Sequence, residues 1–350
     1  LVIDREMMRP WGFAPKNAES IPGVQLTEEY TSAQQPLYST LPDADEMRLA
    51  PDCKNIRIAA RTNQRIIMLN KGLNNKGFMV CKDCGASMPG DDVSVLSKVK
   101  RPYKFKYARR ECSHANSINV NLGYDFVTDM LVLEFTIDSK AIDVRRNDNP
   151  WLIRAAQSLA EALRLVASKK LDVEFTELVT GYRLRTGPET SYVDIYLYDS
   201  LSSGAGYAVS VADAISELLD DMKDLLSSCN CGSACSKCLK HYRNQHLHGI
   251  LDRFAALQLL IWGVKGINEP PINLEDQTKM MTPLINILKQ SGCKITIDND
   301  IVATGQKGSK KVVIYPAMWV EPRAADTIFV SDAYIKYAKP YAVQKILDNI

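Results

Sequence analysis

Residues 229–238 read Cys229-Asn-Cys-Gly-Ser-Ala-Cys-Ser-Lys-Cys238 and hold four cysteines, at Cys229, Cys231, Cys235 and Cys238. Thiols this close cannot all form unstrained disulfides with one another, whereas four thiolates at this spacing surround a tetrahedral metal ion well. Zinc is the metal that four sulfur ligands favour, and such a site has no open coordination position. The array therefore predicts a structural zinc site that carries no catalysis; free buried thiols or disulfides are the alternative.

A second possible metal site lies upstream of this array. Cys81 and Cys84 form a C-x2-C knuckle, and Cys112 and His114 follow further along the chain. Three cysteines and one histidine form a common structural zinc site. The pattern predicts a Cys3His site, and a surface position for His114 is the alternative.

The overall composition is that of an ordinary globular protein. The chain has 350 residues, of which 46% are hydrophobic and 24% charged, and its net charge is +2. This length allows two or three cores, and nucleic-acid binding would require local clustering of the cations. No apolar run is long enough for a transmembrane helix, and no signal peptide opens the chain. Metal-type cysteine spacing without a secretory signal indicates a reducing, cytoplasmic location. The start at Leu1 rather than at Met indicates a piece of a longer protein.

The hydrophobic pattern predicts a mixed α/β (α+β) fold with a small C-terminal α/β lobe. Strands are predicted at 129–135, 171–185 and 192–198, and helices at 151–168, 207–227 and 251–263. A linker rich in proline follows at 264–274. The predicted domains are a loop- and strand-rich segment at 1–74, a zinc-binding domain at 75–265 and the lobe at 266–350.

The most basic stretch of the chain lies between the two halves of the Cys3His pattern. It contains seven cations and three interleaved aromatic residues without an acid. Cations neutralise phosphates and aromatic rings stack on unpaired bases, so this composition favours single-stranded DNA; a solvated edge strand is the alternative. The candidate contacts are Lys98, Lys100, Arg101, Tyr103, Lys104, Lys106, Tyr107, Arg109 and Arg110.

Two further features could bind phosphate. Lys240 and Arg243 belong to a basic cluster that runs from Lys237 on the loop after the cysteines to Arg253 at the start of the next predicted helix. The N-terminus of that helix would add its dipole to a phosphate site. The turn at Gly204 and Gly206 stands between a strand and a helix and is a candidate anion site; the favoured alternative is a tight strand-to-helix turn that needs positive φ.

The sequence contains no recognisable catalytic motif. It has no G-x-x-x-x-G-K-[ST] phosphate loop and no G-x-S-x-G elbow. Asp194 or Asp199 could bind a divalent ion in a nuclease. Asp129 and Glu134 are five positions apart, so on one strand they face opposite sides and do not favour a shared site.

Five motifs then occur in an order that resembles the MrfA-type zinc-binding domain: Gly77-Phe-Met-Val-Cys-Lys-Asp-Cys-Gly85, Leu122-Gly-Tyr-Asp-Phe-Val-Thr-Asp129, Tyr198-Asp-Ser-Leu-Ser-Ser-Gly-Ala-Gly206, the four-cysteine array, and Leu251-Asp-Arg253. The resemblance covers roughly residues 75–265. Two departures stand out. Ser203-Gly204 replaces the usual double glycine, and the Cys81 knuckle is not universal in the family.

The resemblance implies a helicase-associated module of large DEAD/DEAH-type helicases, found in a bacterial DNA-repair helicase and in anti-phage defence systems such as Druantia and DISARM. It implies Zn²⁺ at the four-cysteine array and work beside a superfamily 2 helicase core, in cis or as a partner subunit. ATP would then be hydrolysed outside this chain. The rival hypotheses are a docking module for other subunits of a defence complex and a metal-dependent nuclease.

Overall fold

A computed structural model describes residues 7–8, 37–38, 47–72, 76–98, 112–144, 150–201 and 203–350. The chain divides into two compact units. Among the described residues, the first unit contains 7–8, 37–38, 63–72, 76–98 and 112–128. The second unit contains 47–62, 129–144, 150–201 and 203–350.

Apart from a short 3-10 helix, the described elements are strands up to Asp138; from Pro150 onward, helices and strands occur in groups. The strands are β1 (Met7–Met8), β2 (Leu37–Tyr38), β3 (Arg48–Leu49), β4 (Ile56–Asn70), β5 (Phe78–Cys81), β6 (Ser87–Pro89), β7 (Ser117–Asp138), β8 (Leu178–Arg185), β9 (Thr190–Asp199), β10 (Lys294–Ile297), β11 (Ile301–Gly305), β12 (Gly308–Tyr315) and β13 (Thr327–Ser331). The helices are α1 (Pro150–Leu171), α2 (Tyr207–Asp213), α3 (Ile215–Ser227), α4 (Arg253–Lys265), α5 (Leu274–Gln290), α6 (Asp332–Tyr337) and α7 (Lys339–Asp348). The predicted mixture of helices and sheets is confirmed.

The first unit is organised around a short antiparallel ladder. Strand β5 pairs with β6 on one side and with the start of β7 on the other. Because side chains alternate along a strand, Phe78 and Val80 join one small apolar cluster while Met79 and Cys81 join another. The apolar cluster that contains Met79 and Cys81 also packs against Cys84 and Cys112 of the Cys3His pattern.

The second unit has a large core between helices and one face of a sheet. Strand β9 pairs antiparallel with β7 and with β8. Leu131, Leu133 and Phe135 alternate along β7 and are fully buried in the same core as Leu159 and Leu163 of α1. Helix α1 begins at Pro150, a residue suited to the first helical turn because it needs no N–H partner.

Three predicted elements differ from the structure. The strand predicted at 129–135 is only part of β7, which runs from Ser117 to Asp138. The helix predicted at 207–227 is broken at Ala214, whose φ of −107° and ψ of 25° end α2 before α3 starts. The strand predicted at 171–185 begins only at Leu178, because α1 extends to Leu171 and a short 3-10 helix precedes the strand. Apolar spacing alone does not show either interruption.

The C-terminal lobe has its own sheet and its own apolar cluster. Strands β10, β11 and β12 are antiparallel, and β13 runs parallel to β12. Helices α5 and α7 pack against this sheet through buried side chains such as Leu284, Leu288 and Ile346. The described helices include none that is long and apolar enough to cross a membrane.

A buried carboxylate connects the lobe to α4. Asp252 is the N-cap of α4, where it accepts a hydrogen bond from the Phe254 amide at 3.0 Å. The same carboxylate lies 3.1 Å from Lys336 Nζ and accepts a hydrogen bond from the Tyr337 hydroxyl. Burial and the Asp252 charge raise the pKa of Tyr337, so its hydroxyl keeps the proton that it donates. Arg154 lies over the Tyr337 ring at 3.5 Å.

Asp252→Ala is expected to lower the free energy of unfolding by about 2–4 kcal/mol, because it removes a helix cap and leaves Lys336 without its partner. Urea unfolding would measure this change. The control is Lys311→Ala: its ion pair with Asp300 spans 2.5 Å between exposed side chains and should contribute under about 1 kcal/mol. Equal effects of the two variants would contradict the proposed importance of the buried carboxylate.

Candidate metal centres and the loop beside them

The four sulfurs of the array meet between the end of α3 and the start of α4. All four lie within 4.8 Å of one another. Sγ separations are 3.6 Å for Cys229 and Cys235, 3.7 Å for Cys231 and Cys238, and 3.9 Å for Cys235 and Cys238. Tetrahedral Zn–S bonds of about 2.3 Å place two sulfurs about 3.8 Å apart. The donor set therefore fits a zinc ion.

Backbone amides also favour thiolates at this cluster. The Lys237 amide points at Cys235 Sγ and the Cys235 amide at Cys238 Sγ, at 3.4 and 3.2 Å. The Lys237 amide and the neighbouring Cys229 thiol lower the pKa of Cys235 to about 7, whereas burial and then Cys231 raise the pKa of Cys238 to about 12. A metal ion binds cysteine as the thiolate, so zinc binding at this cluster would release the protons of the remaining thiols.

Arg253, the first residue of α4, bonds to the backbone of the four-cysteine array. Its Nη1 donates to the Leu226 carbonyl at 2.9 Å, and its Nε and Nη2 donate to the Cys231 carbonyl at 3.2 and 3.1 Å. Its own amide donates to the Ser233 carbonyl at 2.8 Å. The residue is only 7% exposed. Arg253, the last cation of the basic cluster in the sequence, is therefore a buried residue that bonds to backbone carbonyls.

The second cluster lies in the first unit and brings together Cys81, Cys84, Cys112 and His114. Cys81 Sγ is 3.7 Å from Cys112 Sγ, and Cys84 Sγ is 3.3 Å from His114 Nδ1. Burial raises the pKa of the Cys81 thiol, but hydrogen bonds from His114 and the knuckle amides outweigh it and lower the pKa to about 6. His114 adopts a φ of 57°, a conformation that costs energy outside glycine and that aims the ring at the cysteines. The chain therefore has two cysteine-rich clusters that could hold zinc.

Most of the predicted nucleic-acid contacts belong to one basic segment of the first unit. Residues 99–111 lie outside the described residues, and with them Lys100, Arg101, Tyr103, Lys104, Lys106, Tyr107, Arg109 and Arg110. Lys98 ends a 3-10 helix at Val93–Lys98, and its side chain is likewise outside the description. Their contact with DNA stays a prediction.

Lys240 and Arg243 are described, and both lie on the loop that leaves the four-cysteine cluster. Arg243 is exposed and Lys240 is half-buried. Within the described residues, neither side chain forms an ion pair with a carboxylate. From Ser228 to Ile250 the sequence itself contains no aspartate or glutamate. This acid-free segment is called the metal loop below.

A buried polar network fixes the second half of the metal loop. Asn244 is fully buried, and its amide group donates to Glu161 of α1 at 2.7 Å and to the Leu239 carbonyl at 3.0 Å. Its Oδ1 accepts from the His241 amide at 2.7 Å and lies 3.0 Å from His248 Nε2. His248 Nε2 also lies 3.1 Å from the His241 carbonyl oxygen. Both neighbouring oxygens can only accept a hydrogen bond, so Nε2 carries the proton. Sequence spacing alone does not reveal the Asn244–Glu161 pair, which joins residues 83 positions apart.

The glycine turn binds carboxylates of the chain itself. The amides of Ala205, Tyr207 and Ala208 donate to Asp199 at 2.6 to 3.1 Å, and that of Gly206 donates to Asp129 at 3.1 Å. Gly204 and Gly206 have φ values of 74° and 81°, and a Cβ on Gly204 would lie 2.2 Å from the Asp129 carboxylate. These contacts explain why glycine is needed at 204. Phosphate binding at the turn stays a prediction.

Asp194 also lies in a structural network. It is fully buried opposite Glu134 in the β7–β9 ladder. Arg183 and Arg185 contact it at 3.1 and 2.7 Å, and Arg185 also contacts Glu134. In the part of the chain that the structure describes, the only groups of three or more potential metal ligands are the two cysteine clusters. Within these residues, the nuclease hypothesis therefore finds no cluster of three carboxylates.

Comparison with known proteins agrees with the zinc-binding interpretation. Residues 159–239 match the family model of the MrfA Zn-binding domain. The match includes most of α1, strands β8 and β9, helices α2 and α3, and all four cysteines of the array. The resemblance seen in the sequence is confirmed.

One curated relative is the Druantia protein DruE of Escherichia coli (strain UMEA 4076-1). It is 31% identical over 344 residues, covering 93% of this chain and 19% of DruE. This chain therefore corresponds to a minor part of that relative's length.

Two solved structures of the DUF1998 helicase MrfA also match. The structure bound to DNA gives a TM-score of 0.38 at 14% identity, covering 65% of this chain and 24% of the helicase. The structure bound to DNA and AMPPNP gives a TM-score of 0.30 at 12% identity, covering 61% and 23%.

Proposed function

We propose that this chain, in which residues 159–239 match the MrfA Zn-binding domain, is a zinc-stabilised accessory region that contacts DNA for a superfamily 2 helicase of anti-phage defence. Zinc holds both cysteine clusters in shape. ATP is hydrolysed by a motor outside these residues, either in the same polypeptide or in a partner subunit. The relationship to DruE supports the defence setting, and the relationship to the MrfA domain supports the helicase setting.

The observation that carries the DNA-binding proposal is the acid-free metal loop. Lys237, Lys240 and Arg243 lie on a segment without a single carboxylate, and the zinc cluster and Asn244 hold that segment in place. Cations without acidic neighbours attract an external polyanion, and phosphate contacts release counterions from DNA. A fixed loop loses little conformational entropy on binding.

The test is a titration of fluorescently labelled DNA with the zinc-loaded chain at several salt concentrations. Lys240→Ala/Arg243→Ala should weaken binding and reduce the slope of log K against log[salt] by about 2 for duplex DNA, since each phosphate contact contributes about 0.9. The control is Lys289→Ala/Lys294→Ala, which removes two exposed cations of the C-terminal lobe and should leave the slope unchanged.

The alternatives give different results. No binding by the wild-type chain at low salt would overturn the DNA proposal in favour of docking to other subunits of a defence complex. DNA binding with an unchanged slope in the metal-loop variant would move the contacts elsewhere, with residues 98–110 as the next segment to replace.

A further inference from the structure

Tyr242 is unusually exposed for an aromatic residue on a fixed segment. Its exposed fraction is 76%, higher than that of any other large hydrophobic side chain recorded as exposed among the described residues. It begins the 3-10 helix Tyr242–Leu247 of the metal loop, between Lys240 and Arg243. The side chain therefore presents a ring to solvent on a segment that carries cations and no acids.

The backbone on both sides of Tyr242 is held by side chains. The preceding His241 ring stacks on Phe175 with centroids 4.3 Å apart, and Arg164 covers Phe175 at 3.7 Å. His241 Nδ1 accepts a hydrogen bond from the Arg243 amide at 3.2 Å, and Asn244 is anchored to Glu161. These contacts fix the backbone at Tyr242, while its ring stays exposed to solvent.

An exposed aromatic ring between two cations is suited to binding an unpaired nucleotide. An aromatic face stacks on any exposed base, and neighbouring cations contact the phosphates on either side. In a duplex the base faces are already stacked on one another, so a protruding ring gains little there. A charge-only surface would bind both forms of DNA and would not need an exposed tyrosine.

We propose that Tyr242 is a base-stacking residue that gives the metal loop its preference for single-stranded DNA. This inference rests on the proposed DNA contact and adds the residue that distinguishes single strands from duplexes. Lys240 and Arg243 supply the phosphate contacts, and Tyr242 supplies the contact with the base.

The test compares a labelled homothymidine oligonucleotide with a blunt duplex, using the zinc-loaded full chain at one salt concentration. Tyr242→Ala is expected to weaken single-strand binding about tenfold and duplex binding less than about twofold. Tyr242→Phe keeps the ring and should retain wild-type affinity. Tyr341→Ala is the matched control, because Tyr341 is 47% exposed on the C-terminal lobe, and it should leave both affinities unchanged.

The outcomes separate this inference from the DNA proposal. If Tyr242→Ala binds the oligonucleotide as tightly as wild type while Lys240→Ala/Arg243→Ala binds weakly, stacking is refuted and the phosphate contacts stand. Equal losses on both DNA forms would also overturn stacking. If the wild-type chain binds neither form, the DNA proposal itself fails. Zinc content and the circular dichroism spectrum, measured for every variant, identify any loss caused by unfolding.

Discussion

Cys235→Ser is expected to release zinc from the four-cysteine cluster and to unfold the metal loop. A structural zinc ion supplies on the order of 10 kcal/mol of folding free energy, which is comparable to the whole stability of a typical domain. The first half of the loop, residues 228–237, has few anchors besides the metal and Arg253, since all of its residues are exposed or half-buried, whereas Asn244 holds the second half. Metal analysis should fall from two zinc ions per chain to one, and hydrogen exchange of the loop should become fast.

Two other cysteine variants complete this experiment. Cys81→Ser should remove the other zinc ion, because its sulfur belongs to the cluster of the first unit. Cys293→Ala is the control: Cys293 is buried in the core of the C-terminal lobe and belongs to neither cysteine cluster, so its replacement should keep both zinc ions. A Cys235→Ser protein with two zinc ions and wild-type stability would show that the array is not a structural metal site.

Features that depend on residues close together in the sequence could be predicted from the sequence alone. Four cysteines within ten residues can bind one ion almost regardless of the surrounding fold, and the structure gathers them. Helix α1 was predicted because its apolar residues recur at helical spacing and Pro150 marks its start. The C-terminal lobe was predicted from the proline-rich segment at 264–274 and from the helix and strand patterns that follow it.

The roles that depend on distant contacts could not be read in this way. Gly204 was predicted either as part of an anion site or as a tight turn that needs positive φ, and only the structure shows that a Cβ at this position would meet Asp129 of β7. Asp194 looked available for a metal ion until Arg183 and Arg185 were found beside it. The residues next to Tyr242 in the sequence do not indicate whether its side chain is buried or exposed. The structure shows that it is exposed.

Arg253 illustrates this limit most clearly, and its replacement should have the second large effect. Arg253→Ala removes every side-chain donor to the Leu226 and Cys231 carbonyls, and burial keeps water from replacing all of them. The expected loss of stability is about 2–4 kcal/mol. Partners that position metal ligands commonly alter metal affinity about 10- to 100-fold, so zinc should pass to a coloured chelator faster by a similar factor.

Arg253→Lys and Arg243→Ala show which property of Arg253 is responsible. Lysine keeps the charge but cannot reach two carbonyls with a planar fork, so Arg253→Lys should lose zinc nearly as fast as Arg253→Ala. Arg243→Ala removes an exposed arginine of the same loop and should leave zinc transfer unchanged while weakening DNA binding. The reverse result, with fast zinc loss in Arg243→Ala and slow loss in Arg253→Ala, would mean that the buried arginine does not hold the loop. A clamp acts through the geometry of its donors and a phosphate contact acts through its charge, so these variants assign the two arginines to different roles.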